Sequence, residues 1–243
     1  MSELQRDSSV PLYQQLEEIL LQRIRAGEWQ PGERIASENE LNREYGLSRM
    51  TARGVLTKLV NDGVLFRVPG KGTFVAPAKI STVSPAYRGI REQLEALGYE
   101  TRTELIRVGP EDVSKTVRER LGRAEGEPIL AVHRLRLAGG EPISVHHSYI
   151  PAVLAPSLAS QDLVSEQLCV ILETEYGLRM SRVTESLEVT AAQVEEAKRL
   201  GVTRGAALLQ LEDLVRAPDG MPFEFTRIVF RGDRIRLQFE YEL

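Results

Sequence analysis

The chain is poor in the residues that make covalent or metal cross-links. Its single cysteine, Cys169, has no partner for an internal disulfide. Its three histidines include the adjacent pair His146-His147, and their spacing does not fit a structural zinc site. No run of eighteen or more apolar residues exists, which excludes a membrane-spanning helix. The polar start, Met1 to Asp7, lacks the apolar core of a secretory signal, so a cytoplasmic location is expected. No cofactor or metal is expected. What is present is ordinary for a globular protein: 42% hydrophobic and 27% charged residues over 243 positions, enough for one large domain or two smaller ones.

The net charge of −4 argues against a nucleic-acid partner only on average. Between Leu47 and Val75 stand Arg49, Arg53, Lys58, Arg67 and Lys71 against one acid, Asp62, a local excess of +4. A small basic face on an acidic chain suits a protein that touches phosphate with one surface. Chance clustering would give the same count, so charge alone does not decide.

The first third reads as helices followed by a hairpin. Leu12, Leu16, Ile19, Leu20 and Ile24 recur at helical spacing after Pro11, and Gly27 ends the run. Ser37-Glu38-Asn39-Glu40 has the form of a capping box, opening a short helix that Tyr45-Gly46 stops. Ser48 is a second N-cap candidate, ahead of a run with Val55, Leu56, Leu59 and Val60 on one face. Leu65-Phe66-Arg67, Pro69-Gly70-Lys71-Gly72 and Thr73-Phe74-Val75 read as strand, turn, strand. Two helices about three residues apart, followed directly by a β-hairpin, make a winged helix-turn-helix.

This arrangement puts Ser48-Arg49-Met50-Thr51-Ala52-Arg53 at the tip of the second helix, the part that meets base edges in the major groove. Arg49 and Arg53 are four apart, hence on one face, and each can pair bidentately with guanine or clamp phosphate. Ser48, Thr51 and the free N–H groups of the first turn suit phosphate oxygens. Gly70, Lys71 and Gly72 form a hairpin tip where small residues allow close approach and a lysine reaches phosphate or the minor groove. Asn39 can contact backbone phosphate. The plainer reading of each residue is solvated surface. Gly54 stands in a helix interior, where glycine costs about 1 kcal/mol relative to alanine.

Residues 77–86 lack helical periodicity and read as a linker between an N-terminal domain over 8–76 and a C-terminal domain over 87–243. Helices are expected over Tyr87–Leu97, Val113–Leu121, Ser165–Tyr176 and Ala191–Leu200, the last after a Thr190 cap. Strands are expected over Leu105–Val108, Ile129–Leu137, Ile143–Ile150, Arg182–Val189, Ala207–Arg216, Pro222–Arg231 and Ile235–Tyr241. Many sequential strands with few helices indicate an antiparallel α+β domain.

The N-terminal motifs resemble the GntR family in order and spacing over about 65 residues. They are Pro11-Leu12-Tyr13-Gln14-Gln15, Pro31-Gly32-Glu33-Arg34-Ile35, Ser37-Glu38-x-Glu40-Leu41, the Ser48–Arg53 run and Gly70-Lys71-Gly72-Thr73-Phe74-Val75. The resemblance implies base and phosphate contacts from Arg49, Thr51 and Arg53 and a wing-tip contact at Gly70 to Gly72. Many members carry arginine at the position of Asn39. The remainder resembles the HutC branch, whose effector (UTRA) domain has a fold like chorismate lyase. The matching residues are His133-Arg134-Leu135-Arg136, Glu141-Pro142, Tyr149-Ile150-Pro151, Leu172-Glu173 with Tyr176-Gly177, Asp219-Gly220-x-Pro222 with Glu224, and Phe230-Arg231-Gly232-Asp233-Arg234.

Arg134 and Arg136 are two apart on a strand and project from one face, where they repel unless an anion lies between them. Either a bound effector or a salt bridge to Glu224 or Glu188 would satisfy them. Their setting depends on hairpin register across Gly139-Gly140. A two-residue loop pairs Arg134 with Val145 and Arg136 with Ile143; a three-residue loop pairs Arg134 with His146 and Arg136 with Ser144. A polar pocket requires the second arrangement, through a bulge if need be, and that register is predicted. His146 can then titrate or donate to a ligand. Phosphosugar-sensing members have glutamate at the position of His146, tyrosine at Phe230, and serine and tyrosine near Gln167 and Cys169. These departures point to a less polar anion than an amino-sugar phosphate. Cys169 reads as packing.

The resulting expectation is a homodimeric repressor on a palindromic DNA operator, controlled by a small anionic metabolite held by Arg134, Arg136, His146, Glu224 and Phe230. An enzyme of lyase-like fold with an accessory DNA-binding domain is the alternative, and an architectural DNA binder without ligand a third.

Overall fold

The computed structural model describes residues 4–77, 79–84 and 89–239. In the N-terminal unit, Met1–Lys79, helix α1 spans Leu12–Arg25 and buries Leu16, Ile19 and Leu20, the stripe read from the sequence. Helix α2 spans Glu38–Tyr45. Its N-cap is Ser37, whose hydroxyl accepts from Glu40 N while the Glu40 carboxylate accepts from Ser37 N, a complete capping box. Gly46, at φ +62°, ends it in the left-handed region. After Leu47 and Ser48, helix α3 spans Arg49–Asn61 and buries Ala52, Val55, Leu56 and Leu59. Strands β1 (Leu65–Val68) and β2 (Gly72–Val75) pair antiparallel as the wing. The Glu33–Ile35 segment adds backbone bonds to β2, Ile35 N donating to Thr73 O at 2.9 Å and Val75 N to Glu33 O at 2.9 Å. The core joins Leu16 and Leu20 to Ile35, Leu41, Leu47, Leu65, Val75 and the buried face of α3.

Within the segment read as a linker, Ile80–Thr82 form strand β3, and residues 78, 85 and 86 lie outside the described residues. The second unit, Ile80–Leu243, continues with α4 (Ile90–Ala96), β4 (Thr101–Glu111), α5 (Lys115–Leu121), β5 (Ile129–Ala138), β6 (Glu141–Pro151), α6 (Leu168–Tyr176), β7 (Arg182–Ala191), α7 (Val194–Leu200), β8 (Ala207–Arg216), β9 (Pro222–Arg231) and β10 (Ile235–Leu237). The sequence start of α4 at Tyr87 and the end of β10 at Tyr241 also lie outside the described residues. Helix α7 begins three residues later than read. Its N-cap is Gln193, boxed with Glu196, while Thr190 and Ala191 remain in strand β7.

Strands β4 to β9 form one antiparallel sheet in the order β4-β5-β6-β9-β8-β7, and β10 pairs parallel with β3 in a small second sheet. Helix α7 packs Ala197 and Leu200 against Leu135, Val145, Leu208 and Val229 on one face of the large sheet. Helix α5 packs Val117 and Leu121 against Ile129, Leu214 and Phe225. On the opposite face α6 sets Leu168, Ile171 and Leu172 against Leu130, Val132, Ile150 and Val215. Helix α4 sets Ile90 and Leu94 against Ile143, Leu211, Ile228 and Phe230. Both faces are therefore covered, an α+β architecture.

The β5–β6 hairpin has the predicted register, Arg134 opposite His146 and Arg136 opposite Ser144. The means differs from a three-residue loop. Gly139 and Gly140, at φ +56° and +80°, make a two-residue turn, with Ala138 opposite Glu141 and Leu137 opposite Pro142. The extra residue is absorbed as a bulge at Ile143, which returns Ser144, His146 and Ser148 to the face that carries the arginines.

Candidate DNA interface and effector cavity

At the tip of α3, Ser48 Oγ accepts from Thr51 N at 3.1 Å and lies 2.8 Å from Thr51 Oγ1. Ser48, Arg49, Met50 and Arg53 are exposed, and Met50 has 73% of its surface open. Asn39 accepts from Arg49 Nε, so it braces the Arg49 guanidinium from α2. Among the described residues, no ion pair engages Arg49, Arg53 or Lys71. Lys58, counted in the basic excess, is different. It pairs with Glu17 at 2.6 Å and Asp62 at 2.8 Å, which withdraws it from the cationic face. Arg67 donates to Thr57 Oγ1 at 2.9 Å and stands 3.8 Å from Glu38. Arg53, Arg67, Gly70 and Gly72 line one shallow groove between helix and wing. Gly70 and Gly72 adopt φ of +71° and +126°, so the turn itself demands glycine there. Lys71 is exposed at its apex.

In the second unit, a cavity of about 610 Å³ lies on the α4/α6 face of the large sheet. Strand β5 contributes Arg134 and Arg136, β6 His146 and Ser148, β9 Glu224 and Thr226, and β8 Asp213. Helix α4 adds Arg91, and the start of α6 adds Gln167 and Cys169. Arg134 is 5% exposed, and its Nε and Nη1 have no hydrogen-bond partner. Burial lowers its pKa, and Glu224 opposes that shift. Arg136 donates through Nη1 to Thr103 Oγ1, and its Nε is unpartnered. Burial, then the nearby Arg134 and Arg91 guanidiniums, bring Arg136 down to about 9. At about 9, Arg136 remains cationic near neutral pH, and Arg134 does so because a guanidinium keeps its proton inside proteins.

Glu224 accepts from Thr226 Oγ1 at 2.7 Å, and Thr226 Oγ1 lies 2.8 Å from Ser148 Oγ. Burial raises the Glu224 pKa, with Thr226 and Arg134 opposing. His146 is 5% exposed, with Nε2 3.0 Å from Ser144 Oγ. Burial, then Arg136 and Arg134, hold its pKa well below the usual imidazole value. Of the two roles read from the sequence for His146, titration or donation to a ligand, burial beside two guanidiniums disfavours the first and leaves the ring a hydrogen-bonding group. Phe230 is corrected. It is fully buried in the α4 core and is not part of the cavity wall; its ring stands edge-on to His146 at 6.3 Å between centroids.

Sequence reasoning placed Arg134, Arg136, His146 and Glu224 together, and the fold brings all four into one cavity. It missed Asp213, Ser148, Thr226 and Arg91, and it assigned Cys169 to packing although that thiol is exposed and lines the cavity. Asp213 did leave a signal. On β8, Leu209, Leu211, Asp213 and Val215 share one face by alternation, and a lone acid among three apolar residues is out of place there.

A wing beside an exposed cationic helix tip, on the same chain as an α+β unit enclosing a charged cavity, defines a ligand-controlled DNA-binding regulator. Residues 12–75 match the bacterial regulatory proteins of the gntR family, and residues 96–236 match the UTRA domain. The chain belongs to the GntR family, in the branch that carries a UTRA effector domain. It is 33% identical over 231 residues to the HTH-type transcriptional repressor NagR of Bacillus subtilis (strain 168), covering 95% of each chain. It is 28% identical over 236 residues to the histidine utilization repressor of Pseudomonas putida, covering 96% of this chain and 92% of that one. The solved structure of PhnF from Mycobacterium smegmatis superposes with a TM-score of 0.63 at 22% identity, over 92% of this chain and 98% of that one, and shows the shared fold. The protein is a transcriptional regulator, and the reading as an enzyme of lyase-like fold is set aside by these relatives.

Proposed function

We propose that the protein is a cytoplasmic, homodimeric repressor whose release from a palindromic operator is controlled by a small anionic effector. Repression is supported by the names of its relatives, NagR and the histidine utilization repressor. Arg49, Thr51 and Arg53 contact bases and phosphates, Ser48 and the first turn of α3 hold a phosphate, and Gly70, Lys71 and Gly72 follow the backbone at the wing. Asn39 acts by fixing Arg49. Two-fold symmetry sets a pair of recognition helices about one DNA turn apart.

One observation carries the effector assignment: the unpartnered guanidinium nitrogens of Arg134 and Arg136 inside a cavity large enough for a metabolite. A buried cation with free donors is stabilised by a ligand carboxylate or phosphate. Glu224 and His146 complete that site, and Phe230 holds the His146 ring from behind. Effector and operator oppose each other because they favour different arrangements of the protein.

The test is Arg134→Ala, with operator DNA isolated by selection from a random duplex pool. Operator affinity in the absence of effector should be unchanged. A metabolite that dissociates wild-type protein from DNA should fail to dissociate the variant. A full effector response in Arg134→Ala would reject this location.

A further inference from the structure

Arg134 and Arg136 stand at one end of the cavity, and a buried acid, Asp213, stands at the other. Asp213 on β8 is 4% exposed, lines the cavity, and has an Oδ1 without any hydrogen-bond partner. Its cross-strand neighbours are Thr226 on β9 and Glu185 on β7. The Thr226 hydroxyl is committed to Glu224, and Glu185 accepts from Ser84 Oγ. The charged groups acting on Asp213 are Glu185 and Glu224, both acids; burial first, then repulsion from Glu185 and Glu224, and last a side-chain hydrogen bond shared with Glu185, drive its pKa up to about 8, and Oδ1 is the oxygen left without a partner. Glu92 and Glu173 also line the cavity but are exposed, and the two buried cavity carboxyls differ. Glu224 has the Arg134 guanidinium as a counter-charge, and Asp213 has none.

Asp213 is also displaced from the arginines. Arg134 lies in register with His146, Ile228 and Leu211, and Asp213 lies two residues further along β8. Strands β5 and β8 are three spacings apart in the sheet, roughly 14 Å between backbones. One end of the sheet wall therefore presents guanidinium donors with no acceptor and the other end presents a carboxyl oxygen with no donor. Both are buried, so leaving either unmatched in the complex is unfavourable.

We propose that the effector is charged at both ends: an anionic group held by Arg134 and Arg136, and a protonated nitrogen, separated from it by a chain or ring of several atoms, held by Asp213 Oδ1. This rests on the anion site proposed above and adds to it a second pole that selects among anions; it departs from the less polar anion expected from the sequence, because that expectation did not include Asp213 in the cavity. On binding, the ammonium donates to Asp213, whose proton leaves to solvent, so the cavity gains a buried ion pair at each end.

The test uses matched probes that differ only in the nitrogen. These are 6-aminohexanoate against hexanoate, and 3-aminopropyl phosphate against propyl phosphate, titrated calorimetrically into wild type, Asp213→Asn and Arg134→Ala. In wild type, the amine-bearing member of the pair that fits should bind roughly tenfold more tightly, the expected weight of one buried charge-assisted hydrogen bond. In Asp213→Asn the two members should bind alike, with affinity for the plain anion retained. In Arg134→Ala neither should bind. Equal binding of both members to wild type, or a preference that survives in Asp213→Asn, would overturn the two-pole proposal while leaving the anion site standing. Binding of none of the four probes to wild type, or plain-anion affinity unaltered in Arg134→Ala, would overturn the anion site itself and the proposal with it.

Discussion

Replacing Asp213 by asparagine should stabilise the second unit, and by more as pH rises. In the unfolded chain this carboxyl titrates near 3.8; in the fold, burial and the neighbouring Glu185 raise it to about 8. Between those values the folded protein keeps a proton that the unfolded chain has released. The unfolded state therefore binds fewer protons, and stability falls with increasing pH across this window. The slope is about 1.4 kcal/mol per pH unit, so the group costs about 4 kcal/mol at pH 7 as an upper limit, because water entry and local relaxation reduce it. Asparagine keeps the shape and removes the titration. Its advantage over wild type should grow by about 3 kcal/mol between pH 5 and pH 7. Urea unfolding followed by far-ultraviolet circular dichroism at several pH values measures this gap. The only tryptophan, Trp29, lies in the N-terminal unit, so its fluorescence gives an internal reference that should not move. A stability gap that stays flat from pH 5 to pH 8, or one that shrinks with rising pH, would refute the assignment of Asp213 as a buried carboxyl without a cation.

Two further substitutions probe helix α3. Ser48→Ala removes the hydroxyl that caps Thr51 N and should lower the stability of the N-terminal unit by about 1 kcal/mol, read from the Trp29 unfolding curve. Gly54→Ala should do the opposite: a Cβ at Gly54 meets nothing within 4 Å, so the helix gains about 1 kcal/mol and the midpoint of thermal unfolding rises. A destabilised Gly54→Ala would mean that α3 is not a regular helix there.

The N-terminal unit was legible because its signals are local. The Ser37–Glu40 box, the Gly46 stop and the Ser48 cap each fix one helix end through bonds spanning three or four residues. The β5–β6 register was legible for a chemical reason: only one of two pairings keeps Ser144 and His146 on the arginine face. What failed was long-range. Strand β3 is three residues long and exists because Arg234 and β10, some 150 residues away, supply its partners, so no periodicity announces it. Asp213 joins the cavity because the sheet order β6-β9-β8 carries β8 there, and sheet order is not written in any one strand. Phe230 was assigned by family position, and the structure turns that position into core behind His146.

The most direct test of the account is operator binding by Arg53→Ala. Arg53 is exposed on the outer face of α3, engages no acid among the described residues, and lies outside the core, so its loss should leave the fold intact. Fluorescence anisotropy against the selected operator should show wild-type binding weakened by about 1–3 kcal/mol in the variant, while its weak binding to random duplex changes much less. Unchanged affinity and an unchanged selected sequence in Arg53→Ala would contradict the claim that this helix tip reads the DNA.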